Sequence, residues 1–421
     1  MPRCLKLFLG ACLFLANCSA YAADWHVAPG QRIADAISKA APGDTVLVAR
    51  GHYTENLKID KALHLIGVDR PTLSGGGHGD TIRVTVPDVD IEGLIIRDSG
   101  TDLTAQNAGI YLQPGAHRAR VSHCDLIYNL FGLWIEGSNQ VLVEDNLITG
   151  LRDFLSSQRG NGIELYNTQG ARIIHNNISF VRDAIYVDLS HHAQFLRNRL
   201  HNSRYGTHYM NSYHNVWAGN ETYLNRGGLA LMEVRDQIVR DNVAWGNTDH
   251  GIMLRTIQNS LIENNIVAGN GRGFFIYDAE NDTLRGNLVV DNLIGMHLSA
   301  GSTHNSVESN DFIDNHEQIK YVASHDEIWG AKEGNYWSNY LGWDRDGNGR
   351  GDIPYEANDI VDRLSWEHPM MKLLLGSPAV QTLRLVARQF PLLRAPSVVD
   401  PAPRMQPLHA NWRQWLGKYH H

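Results

Sequence analysis

The chain has 421 residues, of which 43% are hydrophobic and 19% charged, a composition that excludes disorder over most of the length. Its 39 glycines favour turns and short strands over long helices. The formal net charge of -8 at pH 7 argues against a nucleic-acid partner, because phosphate binding requires a basic surface.

Residues 1–22 are predicted to be an export signal. A basic start precedes an apolar run from Leu7 to Leu15, and an Ala-x-Ala pattern ends at Ala22. The apolar run is too short to cross a bilayer as a helix. We therefore expect cleavage after Ala22, which would release a soluble mature chain into the periplasm.

The mature chain begins with a predicted cap. Residues 33–40 have the spacing of a short amphipathic helix, and a Pro-Gly-Asp turn then leads into the predicted strand from Thr45 to Ala49. A cap is expected at the start of a stacked structure, because an open end would expose unpaired strand edges.

An internal repeat dominates residues 23–342. A series of Asn-hydrophobic pairs and a series of glycines both recur about every 22 residues, and both contain one longer step of about 30 residues. The segments between the markers are short, β-branched and alternating, which is a strand pattern rather than that of a leucine-rich repeat. The sequence therefore predicts an all-β protein, a right-handed parallel β-helix of about 14 coils.

The Asn markers are expected to have a structural role. Asn tolerates left-handed turns, and its amide can bond to the amide one coil away. The series comprises Asp125, Asn146, Asn177, Asn198, Asn220, Asn242, Asn265, Asn287 and Asn310.

Side chains two and four positions after each glycine are predicted to point out of the helix, because successive side chains of a strand alternate between its faces. These outward columns are unusually aromatic, which suggests a partner-binding surface. The alternative is a second core that a loop or the C-terminal tail covers. The aromatic ring residues proposed for this surface are Tyr111, Trp134, Tyr166, Tyr186, Phe275, Tyr277 and His297.

The same columns contain candidate copper ligands. His208, Met210, Met232 and Met253 fall on neighbouring coils, and thioethers with imidazole suit a soft ion such as Cu(I). Methionine also serves as an adaptable hydrophobic contact, so packing alone is the competing interpretation. Transient rather than tight copper binding is expected.

An enzymatic function is the other interpretation of the outward columns. Stacked aromatics with spaced carboxylates, among them Glu164 and Asp188, would suit a polysaccharide lyase or epimerase. No Lys occurs between Lys61 and Lys320, which removes a common general base, and there is no Asp-Pro-His triplet. A P-loop is also absent from the sequence, so ATP hydrolysis by this chain is not expected.

Residues 343–357 are predicted to form an Asp/Gly-rich capping loop. Its run Asp-x-Asp-x-Asn-Gly-x-x-Asp matches the first nine positions of an EF-hand loop, which makes calcium a candidate. Position twelve would be Tyr355 rather than Glu, so the bidentate closing ligand is missing. A self-bonded Asx turn is the alternative. The candidate calcium ligands are Asp344, Asp346, Asn348 and Asp352.

The segment NYWSNYLGWDRDGNGRGDIPY, on a repeat of about 22 residues behind an export signal, resembles the NosD family. The C-terminal segments LSWEHP and SVVDP resemble it as well. The resemblance implies a non-enzymatic periplasmic protein that works with the ATPase and membrane subunit of an ABC transporter. It further implies a periplasmic copper chaperone and apo nitrous oxide reductase as partners, with the chain as a docking scaffold during assembly of the copper–sulfide centre. A carbohydrate-binding β-helix protein or a polysaccharide lyase or epimerase is the alternative.

Residues 358–421 are predicted to be a docking tail. Residues 378–390 begin with Pro and show helical spacing of Leu383, Val386 and Phe390, and five prolines then impose extended chain. This tail could pack on the rod or reach the membrane partner, and the second arrangement is favoured. On that view the rod should stay folded without the residues after Ser377.

Overall fold

In the computed structural model, parallel strands stack into a β-solenoid of about 14 turns, as predicted. The structure describes residues 22–299, 301–322, 326–357, 361, 364, 368–374, 377–389 and 397–417, so the predicted signal lies almost entirely outside the described residues. Three strands per coil contribute to three long sheets, and a short capping sheet follows them. No helix in this described part is long and apolar enough to cross a membrane.

The three long sheets have 13, 12 and 13 strands, each paired in parallel with the equivalent strand of the next coil in the described residues. The first sheet contains Asp24–Val27, Thr45–Val48, His64–Gly67, Asp90–Glu92, Arg120–Ser122, Leu142–Glu144, Arg172–Ile174, Gln194–Leu196, Val216–Ala218, Ile238–Arg240, Leu261–Glu263, Thr283–Arg285 and Ser306–Glu308. The second contains Leu57–Ile59, Ile82–Val84, Ala108–Leu112, Phe131–Glu136, Ile163–Tyr166, Asp183–Asp188, Tyr205–Met210, Gly227–Arg235, His250–Gln258, Arg272–Glu280, Ile294–Leu298 and Glu317–Tyr321. The third contains His52–Thr54, Thr72–Ser74, Ile95–Arg97, Asp125–Ile127, Leu147–Thr149, Asn177–Ser179, Arg199–His201, Glu221–Tyr223, Val243–Trp245, Ile266–Ala268, Leu288–Val290, Asp311–Ile313 and Tyr336–Trp337.

Helices are short and lie at the ends of the rod or on its surface. The α-helix Ile33–Lys39 caps the first coil as predicted, burying Ile33 and Ile37 against the core. The Glu55 carboxylate accepts hydrogen bonds from the first backbone N–H groups of this helix, which satisfies donors that have no partner within a helix. The described residues also include the 3₁₀ helices Ser156–Gln158, Pro369–Leu374 and Trp412–Trp415 and the α-helix Pro378–Gln389.

The core lies between the three sheets and runs the length of the rod. Residues one and three positions after each marker glycine, such as Ile163 and Leu165, are fully buried there. Phe195 and Trp217 occupy one position on adjacent coils and stack with ring centroids 3.8 Å apart. Each coil therefore buries its apolar side chains against its neighbours, which a single coil could not do.

Buried asparagines form a hydrogen-bonded ladder along one corner of the rod. The Asn242 amide donates to Trp217 O and Asn265 Oδ1, and its own Oδ1 accepts from the backbone and side chain of Asn220, all at 2.9–3.0 Å. The predicted structural role is therefore confirmed for these markers. Two assignments were displaced by one residue, since Asn176 and Cys124 occupy the ladder positions rather than Asn177 and Asp125.

A second ladder runs along another corner and was not predicted. Its amides repeat the same pattern, with Asn225 donating to Asn247 Oδ1 and Asn247 to Asn270 Oδ1. Its members are Asn225, Asn247, Asn270, Asn292 and Asn315. Buried amides thus tie together two corners of the coils in the second half of the rod.

The part of the tail from Val398 onward closes the rod, which is the first of the two arrangements considered for the tail. Val398–Asp400 joins Glu327–Ile328 and Tyr355–Glu356 in the capping sheet. Asp400 is fully buried and accepts hydrogen bonds from Asn335 N and Trp337 Nε1 at 2.8 and 3.1 Å. Burial raises the pKa of its carboxyl, and these hydrogen bonds partly oppose that effect.

The last described residues form a strap across the third sheet. The Asp311 carboxylate is buried and accepts hydrogen bonds from the backbone of Leu408 and His409 at 3.1 and 2.8 Å. Trp412 and Trp415 pack on apolar side chains of the third sheet. Deleting everything after Ser377 would remove the strap and the strand Val398–Asp400 of the capping sheet, and the expectation that the rod stays folded without them stays a prediction.

Replacing Asn242 by Ala is expected to lower the free energy of unfolding by about 3 kcal/mol. The substitution leaves buried donors and acceptors without partners, and each such group costs about 1–3 kcal/mol. A denaturant titration of the mature chain measures the change. Asn411→Ala is the matched control, because Asn411 is exposed and its side chain makes no capping hydrogen bond; equal losses in the two variants would contradict a stabilising ladder.

Candidate functional site

The outer face of the second sheet, formed by the outward side chains of its strands, contains most of the predicted site residues. Its N-terminal part is covered. Tyr111 and Trp134 are only 9% and 8% exposed and pack in an apolar cluster with Phe131 and Leu151. The segment that lengthens this one coil lies against the cluster, since a Cβ at Gly160 would come within 2.8 Å of the Phe131 ring.

This burial corrects the prediction for two of the seven aromatic surface residues. Tyr111 and Trp134 belong to the covered second core that was the alternative interpretation. Burial raises the pKa of the Tyr111 hydroxyl, and the hydrogen bond that this hydroxyl donates to Glu136 raises it further. Neither side chain is available to a partner in this state.

Farther along the rod the outer face is more open. Tyr166 and Tyr277 are 39% and 43% exposed, whereas Tyr186, Phe275 and His297 are half-buried. Burial lowers the pKa of the His297 imidazole to about 4, with help from the nearby charges of Arg272 and Lys320. At neutral pH His297 is therefore uncharged, and the open part of the face retains five of the seven predicted residues.

The three predicted methionines meet on this face. Met210, Met232 and Met253 belong to one apolar cluster with Ala230 and Phe275. Met232 and Met253 are buried, whereas Met210 is half-buried at the edge of the cluster. The structure thus brings together the predicted thioethers, and their role as copper ligands stays a prediction.

The fourth predicted copper ligand, His208, is bound to a carboxylate. Its Nδ1 lies 3.1 Å from Oδ2 of Asp183, whose other oxygen accepts from Arg204 Nε at 2.8 Å. Asp183 is almost completely buried. Burial alone would raise the pKa of Asp183, but the hydrogen bonds from His208 and Arg204 outweigh it and hold the pKa below its ordinary value.

The hydrogen bonds around Asp183 indicate one tautomer of His208. Arg204 Nη2 also lies 3.1 Å from His208 Nδ1, but a guanidinium can only donate, and it already has Asp183 as acceptor. We assign the Nδ1 proton to the bond with the carboxylate, which is the stronger acceptor. In this tautomer the free lone pair of the imidazole is on Nε2.

Sequence alternation could not identify Asp183 as part of this face. Asp183 directly precedes the marker position, where strict alternation would point it inward. In the structure the pairing omits the marker position, because Asp183 pairs with Tyr205 and Ile185 pairs with Thr207. The Asp183 carboxylate nevertheless contacts His208 of the outer face.

His250 occupies the position of Asp183 three coils later. Its ring lies over Gly227, where a Cβ would come within 2.5 Å of His250 Nε2 and 2.6 Å of the Tyr205 ring. The Tyr205 and His250 ring centroids are 5.7 Å apart, and His250 Nδ1 lies 3.7 Å from Asp249 Oδ2. Glycine is therefore required at position 227. The repeat spacing alone does not reveal this close contact with His250.

A buried carboxyl, Glu164, lies on the same face between Trp134 and Tyr186 in the register. Burial raises its pKa to about 8, the Asn161 hydrogen bond opposes the shift, and the charge of Asp183 adds to it. Asn161 Nδ2 donates to Glu164 Oε2 at 2.5 Å. At neutral pH Glu164 is therefore largely protonated beside an ionised Asp183.

The Asp/Gly-rich loop has the geometry of a self-bonded turn. Asp344 accepts from the backbone N–H groups of Asn348 and Gly349 at 3.1 and 2.8 Å, and these bonds, above all the one from Gly349, lower the pKa of its carboxyl. Asp346 accepts from the Asn348 side chain at 2.9 Å, and Asp352 accepts from a backbone N–H at 2.8 Å. The carboxylates already have local donors, as the Asx-turn alternative requires.

The residue at the twelfth loop position does not face the loop. Tyr355 is buried and stacks on Trp337 with ring centroids 4.2 Å apart. Within the described residues, no three His, Cys, Asp or Glu side chains are grouped so that they could hold a metal ion. Calcium binding by this loop stays a prediction without a closing ligand.

The part of the tail between the rod and the strap carries exposed apolar side chains. Met370 and Leu373 on one short helix are 74% and 78% exposed, and Leu385 on the following α-helix is 58% exposed. Exposed apolar residues grouped in this way are typical of a protein-binding segment.

The chain is similar to a known family along most of its length. A profile of the family described as "Periplasmic copper-binding protein (NosD)" matches residues 144–342. A Pseudomonas aeruginosa protein named "Probable ABC transporter binding protein NosD" is 39% identical over 374 residues, covering 85% of this chain and 87% of that protein. A Stutzerimonas stutzeri protein of the same name is 37% identical over 372 residues, covering 85% of each chain.

Solved structures resemble the rod without close sequence similarity. The A-module of the Azotobacter vinelandii mannuronan C-5 epimerase AlgE6 superposes with a TM-score of 0.56 at 14% identity, covering 73% of this chain and 93% of that module. The Streptococcus pneumoniae surface adhesin PfbA gives a TM-score of 0.56 at 11% identity, covering 68% and 93%. At these identities the likeness shows the fold alone.

Replacing Glu164 by Gln is expected to flatten the pH dependence of stability between about pH 5 and 8. A carboxyl whose pKa is raised on folding stabilises the protein while protonated and loses that contribution as the pH rises through its folded value. A tenfold difference in proton affinity between the folded and unfolded states corresponds to about 1.4 kcal/mol. Unfolding titrations across this range measure the effect, with the exposed Glu233→Gln as control; parallel curves for wild type and Glu164→Gln would contradict it.

Proposed function

The chain belongs to the NosD family, and we propose that it is a periplasmic accessory protein of an ABC transporter complex that assists assembly of the copper–sulfide centre of nitrous oxide reductase. The observation that carries the proposal is the 39% identity, over most of both chains, to a protein named as an ABC transporter binding protein. The description of the family as periplasmic and copper-binding supports the compartment and the cargo.

In this proposal the chain is a docking scaffold rather than an enzyme. The rod holds the copper chaperone and apo nitrous oxide reductase on its open outer face, and the exposed apolar residues of the tail contact the membrane subunit. Copper is cargo that passes over the methionine cluster, since thioether ligands favour Cu(I). The ATPase and membrane subunit of the transporter supply the energy-coupled step.

The docking step is tested by using the mature chain as bait for solubilised membranes of its source. Wild type should recover an ABC ATPase and its membrane subunit. The double variant Leu373→Gln/Leu385→Gln should recover at least about tenfold less, which corresponds to about 1.4 kcal/mol of binding free energy. Leu293→Gln is the control, because Leu293 is 59% exposed but lies on the rod.

Substitutions are preferred here to truncation, because the residues after the α-helix Pro378–Gln389 close the rod. Equal recovery by the double variant and wild type would contradict docking through the tail. Failure of wild type to recover any transporter, together with binding to uronic-acid polymers, would contradict the proposed function as a whole.

Copper handling is tested by the double variant Met210→Leu/Met232→Leu. The substitution keeps the side-chain volume and removes two thioethers, so the affinity for Cu(I) should fall at least about tenfold while the fold is retained. Competition with a chromophoric Cu(I) chelator under anaerobic conditions measures the affinity. Met370→Leu, at an exposed tail methionine, is the control; unchanged affinity in the double variant would contradict this part of the proposal.

A polysaccharide-modifying enzyme is the second candidate, and Glu164 favours it. A carboxylic acid protonated at neutral pH beside an ionised carboxylate is the usual arrangement for general acid–base chemistry on sugars. Incubation with uronic-acid polymers, followed by ultraviolet absorption of unsaturated ends and by C5 proton exchange, tests it. Turnover by wild type that is lost in Glu164→Gln would favour this candidate.

A further inference from the structure

The short side chain of Ala230 leaves a gap between two potential copper ligands. In the register of the second sheet, Ala230 lies between His208 on the preceding coil and Met253 on the following one. Neighbouring strands are about 4.8 Å apart, so the backbones of His208 and Met253 are about 10 Å apart. Only the methyl group of Ala230 lies between their side chains. They can therefore approach each other above Ala230.

A third donor comes from the strand of Ala230 itself. Met232 follows Ala230 by two positions, so both side chains point to the same face. It packs in one cluster with Ala230 and Met253. Two thioethers thus flank the gap, one from the same coil and one from the next.

Asp183 orients the imidazole that completes the arrangement. The hydrogen bond from His208 Nδ1 to Asp183 leaves the lone pair on Nε2, at the far side of the ring from the carboxylate. In metal-binding histidines the second ring nitrogen commonly donates its N–H to a carboxylate in this way. This hydrogen bond fixes the tautomer and the ring plane. Arg204 holds the carboxylate in turn.

We propose that His208 Nε2 and the sulfur atoms of Met232 and Met253 form a three-coordinate Cu(I) site above Ala230, with Asp183 as its positioning residue. The choice of copper rests on the proposed function, whereas the choice of ligands rests on the geometry. A mixed thioether and imidazole set selects a soft cation over calcium or magnesium. No covalent or redox step is involved, because the ion binds and leaves as Cu(I).

Burial suits this site to a transient cargo. Met232 and Met253 are each 9% exposed, which limits the access of water and oxidants. The His208 side chain is 18% exposed and Met210 is half-buried, so the ion can arrive along that side. Neutral ligands leave the bound ion with its positive charge, which favours release to a partner that offers thiolates.

The test is anaerobic Cu(I) competition on the mature chain, combined with X-ray absorption at the copper edge. Wild type should bind one Cu(I) with one nitrogen and two sulfur neighbours. Met232→Leu, Met253→Leu and His208→Phe should each weaken binding at least about tenfold, whereas Met370→Leu, at an exposed methionine of the tail, should change it less than about twofold. Equal affinities for Met370→Leu and Met253→Leu, or no loss for His208→Phe, would overturn the site while leaving copper handling intact.

The positioning role of Asp183 has its own spectroscopic readout. Asp183→Asn should retain the two sulfur neighbours and lose the imidazole contribution to the absorption spectrum, because the ring is no longer held in one tautomer. Retained imidazole scattering in this variant would overturn the role of Asp183. If the variant does not fold, the wild-type spectrum still decides, since a copper ion bound by sulfur alone contradicts the proposed ligand set.

Discussion

The buried amide ladder is the interaction on which the rest of the structure depends. Each Asn side chain accepts from the coil before it and donates to the coil after it, as Asn220, Asn242 and Asn265 do in succession. The pattern closes only if every coil returns to the same place after nearly the same number of residues. Because the ladder sets the coil length, it also sets which outward side chains become neighbours.

Because of this constraint, a functional site on such a rod is formed by outward side chains at equivalent positions of successive coils. Outward residues that are about 22 positions apart in sequence lie about 4.8 Å apart in space, so chemistry is assembled across coils rather than within a loop. His208, Ala230 and Met253 form one such column. In the proposed site, the small middle residue lets the outer two reach one ion, much as Gly227 leaves room for the His250 ring.

The tail combines two roles that its composition does not separate. Asp400 and the strap residues around His409 close the rod through buried hydrogen bonds, so they belong to the fold. The helices before them present Met370, Leu373 and Leu385 to solvent, where a partner can contact them. The segment that we propose for docking lies between two strands of the capping sheet, and this anchoring would reduce the entropy lost when a partner binds.

The sequence by itself determined the fold class, the coil length, the cap helix and which alternate side chains of the strands point outward. The repeat of about 22 residues and the alternation of side chains between the two faces of a strand are visible in the sequence. It also identified the methionines that meet in one cluster. Only the tertiary structure could decide three other features. The covering of Tyr111 and Trp134 depends on the path of one long coil, and the contact of Asp183 with His208 joins side chains of adjacent coils. The return of Asp400 to Asn335 joins residues 65 positions apart. Contacts of this kind have no local pattern, since they depend on side chains that become neighbours only after the coils have stacked.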